Sequence, residues 1–439
     1  MSYPPVAPGP SGSAYSPGGP YPQVAAMGSH PVPGQRRNRG VLLGVLIAVV
    51  MAVAGLAIFG IVYKQTGSAG FVWGLTFAFV PMVVIAGLYL WLDRYEPEPA
   101  KTVVFAFCWG AFVATLAAIF INTGAAQLMG EVRGGGSRAA VFVAPPVEEF
   151  LKGSVVLLIA LVRRREFDGI IDGLVYAGMA GIGFAFTENI LYYGRVFRAA
   201  AEQGGRDSGL QTTWALFVIR GVFSPFAHPL FTSFTAIGIG IAVRHRSTVV
   251  RFLAPLIGYL GAVLAHALWN GAASYAGVSG FIGVYLMLMV PVFLGMVIFA
   301  IVMRSRESQL IASRLYDYIR FGWMVHEDVP LVATLRGRRT LRNFAKRYGP
   351  EAEDAAKDFQ RTATELAYLR DKIVRQVIGP EALQEERQLL EELRNRRSVV
   401  SFPPAPTPYG HYGPGFGTPQ GPTGYGPPGT GYGPYPPPR

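Results

Sequence analysis

A single cysteine, Cys108, in a chain of 439 residues excludes a disulfide within the chain and a cysteine-built metal cluster. Charge is scarce as well: Asp, Glu, Lys and Arg make up 15% of the residues, against 51% hydrophobic. The mean hydropathy is still only +0.32, because both ends are polar and rich in Pro and Gly. The middle is therefore far more apolar than the average, which excludes an ordinary soluble enzyme and points to a membrane protein. Acidic residues are the rarer sign, 27 against 39 basic, for a net charge of +12. In a soluble chain that excess would point to nucleic acid. Here many of the basic residues collect at the ends of hydrophobic windows, where the positive-inside bias accounts for them, and no nucleic-acid partner is expected.

The first hydrophobic stretch, Gly40 to Tyr63, follows a polar leader and is too long for a signal-peptide core, so it reads as a retained anchor. Apolar windows of spanning length fall near 41–63, 71–92, 103–127, 139–162, 170–193, 213–243, 252–275 and 281–303. The sixth is overlong and holds Arg220 and Pro225, which predicts a broken helix or a re-entrant segment. With the N-terminus inside, the inner loops hold Arg36, Arg37, Arg39, Arg94, Lys101, Arg163, Arg164, Arg165, Arg244, Arg246, Arg251, Arg304 and Arg306. The outer loops hold only Lys64, Arg133, Arg138, Arg195, Arg198 and Arg206, so both termini are expected in the cytoplasm of a multi-pass cell-membrane protein.

The fold class expected is all-α: a polytopic helix bundle of about eight spans with a small cytoplasmic helical domain and disordered termini. The leader, residues 1–39, and the tail, residues 401–439, are Pro/Gly-rich low-complexity segments expected to be disordered. Between the membrane region (40–304) and the tail, residues 305–400 carry helical signals: Leu310, Leu315 and Tyr318, then Glu351 to Val377, then Glu381 to Arg397 after Gly379-Pro380. Residues 305–439 are the place for a cytoplasmic partner.

Against that apolar background, one window carries Glu148, Glu149 and Lys152 within five positions. An ionised side chain at a bilayer centre costs about 2.5–3.5 kcal/mol, so such residues are kept for a function. Other windows hold Glu188, His228 and His266. At about 1.5 Å per helical residue, Glu149 lies roughly 20 Å from Val162, His228 roughly 22 Å from Val243 and His266 roughly 21 Å from Phe252. Three helices thus place ionisable groups at one depth. Lys152 is four residues from Glu148 and three from Glu149, and His266 is four from Asn270, so each set shares a helical face. Pro145-Pro146 breaks the outer part of the window, where water could enter. Asp168 and Asp172 stand at a span end and read as helix caps.

Adjacent carboxylates with imidazoles and an amide suit hydrolysis, the Glu taking a proton from water and a His or Asn meeting the oxyanion. The cofactor is either none or a divalent metal such as zinc, for which Glu149, Glu188, His228 and His266 are the ligands to consider. The zinc-protease helix string His-Glu-x-x-His is absent, and the spans hold no Gly-x-Ser-Gly or Gly-x-Gly-Asp site.

These residues resemble a family. Glu148-Glu149-Phe-Leu-Lys152 fits the EExxK motif of the PrsW intramembrane proteases, and Phe184-Ala-Phe-Thr-Glu188 fits the FxxxE motif. His228-Pro-Leu-Phe-Thr232 and His266-Ala-Leu-Trp-Asn270 resemble the third and fourth motifs, in the same order. The resemblance, which extends to the CAAX prenyl proteases, implies a glutamate-dependent or metal-assisted intramembrane endopeptidase acting on membrane-embedded or membrane-adjacent protein substrates, with anti-sigma-factor cleavage in signalling as one such role. Glu148, Glu149, Glu188, His228, His266 and Asn270 are then the expected catalytic residues, with Lys152 supporting. A proton-coupled transporter or channel and a catalytically silent scaffold are the alternatives from other classes.

Overall fold

A computed structural model of the chain describes residues 34–131, 138–164 and 166–404. The expectations for residues 1–33 and 405–439, and for Arg133 and Arg165, lie outside these described residues. What is described is helical, with no strand among the described residues. Helix α1 (Gly34–Leu92) is followed by α2 (Ala100–Cys108), a π turn (Trp109–Ala114) and α3 (Thr115–Leu128). Then come α4 (Arg138–Phe142), α5 (Ala144–Val162), α6 (Ile170–Phe217), a second π turn (Val218–Phe223), α7 (Ala227–Val243) and α8 (Thr248–Tyr275). After α9 (Gly277–Val284) and a third π turn (Tyr285–Met289), α10 (Val290–Ile319) leads to α11 (Asp328–Ala333), α12 (Leu335–Ala345), α13 (Pro350–Val374) and α14 (Ala382–Val399).

Two of these helices double back. In α1, Gly67 takes φ 68°, a left-handed conformation that costs glycine nothing. The rings of Phe59 and Phe71 lie 5.3 Å apart, although twelve residues of straight helix would separate them by about 18 Å. Gly205, at φ 77°, turns α6 in the same way and brings Tyr193 within 6.3 Å of Phe217. Hydropathy windows that read as separate spans are therefore arms of one helical run. Among the described residues, five stretches are long and apolar enough to cross a membrane: Gly44–Leu92, Ala100–Leu128, Ile170–Val243, Thr248–Tyr275 and Gly277–Ile319. α5, with three charged side chains in its 19 residues, is not one of them. The overlong sixth window is broken, as its Arg and Pro imply, at Ser224 to Phe226 between the second π turn and α7.

The first arm of α6 is the axis of the bundle, with every residue from Ile171 to Phe184 buried. Small residues make this possible by letting backbones approach. A Cβ on Gly110 would meet the Ala180 carbonyl oxygen at 2.0 Å, and one on Gly181 would meet Pro229 at 2.8 Å. That second contact seats the start of α7 on α6.

No break falls at residue 304. α10 continues into a polar region with its own core, in which Ile311, Leu315, Phe359, Leu366 and Leu390 meet. The expected helices near Glu351–Val377 and Glu381–Arg397 are α13 and α14, and two short helices, α11 and α12, precede them. The end of α13 clasps the loops that follow α5 and α7. Asp371 takes Arg244 at 3.2 Å, Arg314 at 3.0 Å and Arg375 at 2.7 Å, and Lys372 pairs with Asp168. Asp172 caps α6 through the Gly169 and Asp168 backbone amides, as expected.

Carboxylates crowd under this clasp. Glu98 accepts the Tyr176 hydroxyl at 2.5 Å, and its own backbone amide donates to Asp93 at 2.6 Å. Burial, reinforced by the charge of Asp172, pushes Glu98 up to about 9, and burial pushes Asp93 up to about 7. Both are then protonated when folded and ionised when unfolded across the intervening range. The folded state binds the extra protons, so stability is fullest below the ordinary Glu value of 4.5 and is lost as pH rises toward about 9. The melting temperature should fall from about pH 5 to about pH 9, and Glu98→Gln should flatten that fall. A wild-type melting temperature that rises over the same range contradicts this reading.

Candidate active site

Two of the helices that carry ionisable groups begin at the site itself. The chain breaks at Val143, between α4 and α5, and Pro145 and Pro146 occupy the first turn of α5, where a missing N–H costs nothing. Glu148 and Glu149 follow just inside that turn, where the helix dipole favours carboxylates. α7 begins at Ala227, with His228 and Pro229 in its first turn. Tyr259 of α8 donates to the Pro146 carbonyl at 2.9 Å and holds a third helix to the same place.

Glu149 and Lys152 are fully buried, and His266 is 2% exposed. Lys152 Nζ lies 2.6 Å from Glu149 Oε1, 3.9 Å from Glu148 Oε2 and 3.2 Å from His228 Nδ1. An ammonium only donates, so Nδ1 of His228 accepts and its Nε2 donates to Glu188 Oε2 at 3.0 Å. Arg220 completes this arm, donating to Glu188 at 2.5 Å and to Asn189 at 2.8 Å. On the other side, His266 Nδ1 donates to Glu149 Oε1 at 2.8 Å, and the Thr232 hydroxyl donates to Glu149 Oε2 at 2.9 Å. His266 Nε2 is left 3.8 Å from Glu148 Oε2. Glu148 itself is held from one side only: Asn122 donates to its Oε1 at 3.1 Å, and Oε2 is buried without a hydrogen bond.

Helices α5, α6, α7 and α8 therefore bring Glu148, Glu149, Lys152, Glu188, His228 and His266 into one cluster. Asn270 stands apart from it. One turn beyond His266, its amide donates to the Ala140 carbonyl at 2.8 Å and tethers α4 to α8. Sequence reasoning missed Asn122 and named Thr232 only as the end of the third motif. Asn122 is an amide in an otherwise apolar stretch of α3, and Thr232 is one turn from His228, four residues on; both signals were readable. The string Gly277-Val-Ser279-Gly280 falls between the seventh and eighth windows and opens α9, where Ser279 is exposed.

The charges do not cancel. Among the described residues, Glu148, Glu149 and Glu188 face only Lys152 and Arg220 as permanent cations, so a surplus negative charge remains in a largely buried site. Such a site gains from a proton or a cation. One atom each from Glu148, His228 and His266 lie within 4.8 Å of one another. Two imidazoles and a carboxylate are a donor set suited to a catalytic divalent metal. Glu149 fixes the His266 tautomer so that Nε2 is free, the arrangement in which a carboxylate orients a ligating histidine. The residues present thus fit a metal, with Glu148 as its carboxylate in place of Glu149, whose oxygens are both taken. His228 would give up its contact with Lys152 or Glu188 to join.

Fold and site together define a polytopic helical membrane protein with a buried glutamate, histidine and lysine centre. A family model described as PrsW family intramembrane metalloprotease matches residues 98–296, which hold every residue of the cluster. Over these residues the chain is similar to the PrsW family. It is similar to Protease PrsW of Bacillus subtilis (strain 168), 34% identical over 113 residues, 26% of this chain and 50% of that protein. Protease PrsW of Clostridioides difficile (strain 630) is 29% identical over 160 residues, 35% of this chain and 59% of its own length. The chain thus spans between half and three-fifths of these curated relatives. No solved structure matches it.

Proposed function

We propose that the protein is an intramembrane endopeptidase that hydrolyses peptide bonds of membrane-embedded or membrane-adjacent protein substrates. The observation that carries this reading is Glu148 Oε2: a buried carboxylate oxygen with no hydrogen bond, 3.8 Å from the free nitrogen of His266. Glu148 is the carboxylate that binds and activates the water, with Asn122 fixing its other oxygen. Glu149 orients His266 and is neutralised by Lys152, so that the bare Nε2 of His266 faces the water that Glu148 activates. His228, held in place by Glu188 and Arg220, passes the proton that Glu148 takes from the water to the leaving amine. Asn270 positions α8 through α4 and has no part in meeting the oxyanion. Glu148, His228 and His266 are the residues that would hold a divalent ion, which would supply Lewis-acid activation of the water.

Orientation belongs to the same proposal. The polar helices α11–α14 rest on the loops that contain Arg164, Arg244 and Arg246, the side rich in basic residues, which supports a cytoplasmic domain and cytoplasmic termini.

The test is reconstitution of the purified chain in liposomes with a protein substrate bearing one membrane span. Wild type should release two fragments, and His266→Ala should release none. A chelator should stop wild type if the metal site is filled and leave it unchanged if the carboxylate works alone. Equal cleavage by both proteins, or no cleavage together with a proton flux that depends on Glu149, overturns the proposal in favour of a silent or transporting membrane protein.

A further inference from the structure

On the side of α7 away from His228, an apolar cleft of about 160 Å³ opens between the second arm of α1 and α10. Ile85, Trp91, Phe226, Phe293, Val297 and Ile301 are among its walls. The Tyr89 and Ser233 hydroxyls in it bond each other at 3.2 Å, so neither calls for water. From Phe293 to Ile301 the cleft follows about 12 Å of α10.

One turn beyond Ile301 stands Arg304, at the end of the cleft where the chain turns polar. Its guanidinium lies 3.9 Å over the ring of Trp91. The residue is 7% exposed, and its Nε and Nη2 are buried without a hydrogen-bond partner. Two unmet donors on a buried cation are costly, and a guanidinium is shaped to meet a phosphate through paired donors. The nearest acid on α10, Glu307, is taken by the Tyr368 hydroxyl at 2.7 Å.

We propose that this cleft is a specific site for one anionic phospholipid, with an acyl chain between α1 and α10 and the phosphate on Arg304. The combination identifies the occupant: an apolar slot alone suits any chain, and a cation alone suits any anion, but the two joined end to end match a lipid. Trp91 sits at the junction, the level at which Trp is enriched in membrane proteins. Because Phe226 and Leu230 at the start of α7 also line the cleft, the bound chain props the helix that presents His228.

The full-length protein in detergent is incubated with phosphatidylglycerol and phosphatidylcholine of identical chains, and bound lipid is counted by native mass spectrometry. Wild type should retain phosphatidylglycerol over phosphatidylcholine by about tenfold. Arg304→Gln should lose that preference, and Arg304→Lys, which keeps the charge without the paired donors, should keep only part of it. Val297→Trp, which fills the cleft and leaves the cation, should lose the bound lipid while its melting temperature without lipid stays near wild type. Inorganic phosphate at millimolar levels should not displace the lipid. Equal retention of both lipids by wild type, an unchanged preference in Arg304→Gln, or displacement by inorganic phosphate overturns the proposal.

Discussion

Glu148→Gln should cut cleavage by at least a hundredfold, about the smallest effect of removing a general base or a metal-held carboxylate, while the helices stay assembled. The side-chain amide keeps the shape of the carboxyl and still offers Asn122 an acceptor, so the contact at 3.1 Å survives. It cannot take a proton from water or bind a cation through Oε2. That oxygen has no hydrogen bond, and Lys152, 3.9 Å away, keeps its closer partner Glu149, so the melting temperature should change little. Asn122→Ala probes the same group more gently. It frees Glu148 to rotate and should lower kcat by about tenfold with KM nearly unchanged, the pattern of an interaction felt only in the transition state. Single-turnover cleavage beside a thermal melt reads both outcomes. A Glu148→Gln protein that keeps more than about a tenth of wild-type activity removes Glu148 from the chemistry.

Depth along the helices was legible before any packing was known. Hydropathy and loop charge alone place Glu149, His228 and His266 at one level, and the structure joins Glu149 to His266 directly and to His228 through Lys152. Helical periodicity also puts Lys152 on the side of both glutamates. It does not say which it chooses, because positions three and four residues back are both neighbours on the helix surface. Packing decides: His266 and Thr232 converge on Glu149, and Lys152 completes that set at 2.6 Å, leaving Glu148 to Asn122. Of the two carboxylates, it is accordingly Glu148, rather than the candidate Glu149, that would be open to a divalent metal. The reversals at Gly67 and Gly205 were hidden for another reason. Hydropathy records the polar gap but not a single residue with positive φ carrying one helical run into the next. The helices α11 and α12 are short, and their buried faces are completed by α10 and α13, so local periodicity barely marks them. Arg220 reads alone as a charge that snorkels outward or pairs with a carboxylate; the fold at Gly205 lays it against Glu188.

Lys152→Met should be the most destabilising change in the cluster. Removing one partner of a buried ion pair leaves the other uncompensated and costs about 3–5 kcal/mol. Here the stranded group is Glu149, fully buried and held by His266 and Thr232 so that it cannot turn toward water. The surplus negative charge already present in the cluster makes the loss of a cation worse. The double variant Lys152→Met with Glu149→Gln removes both charges, keeps the volume, and should recover most of the melting temperature. It should not recover activity, because a neutral amide at position 149 no longer holds His266 in the tautomer that presents Nε2 to the water. This separation of stability from activity distinguishes a catalytic cluster from a structural ion pair, in which both would return together. Thermal melts and cleavage assays on Lys152→Met, Glu149→Gln and the double variant read it directly. If the double variant melts as low as Lys152→Met, the instability comes from lost packing of the lysine stem, and the stranded-charge account of Lys152 fails.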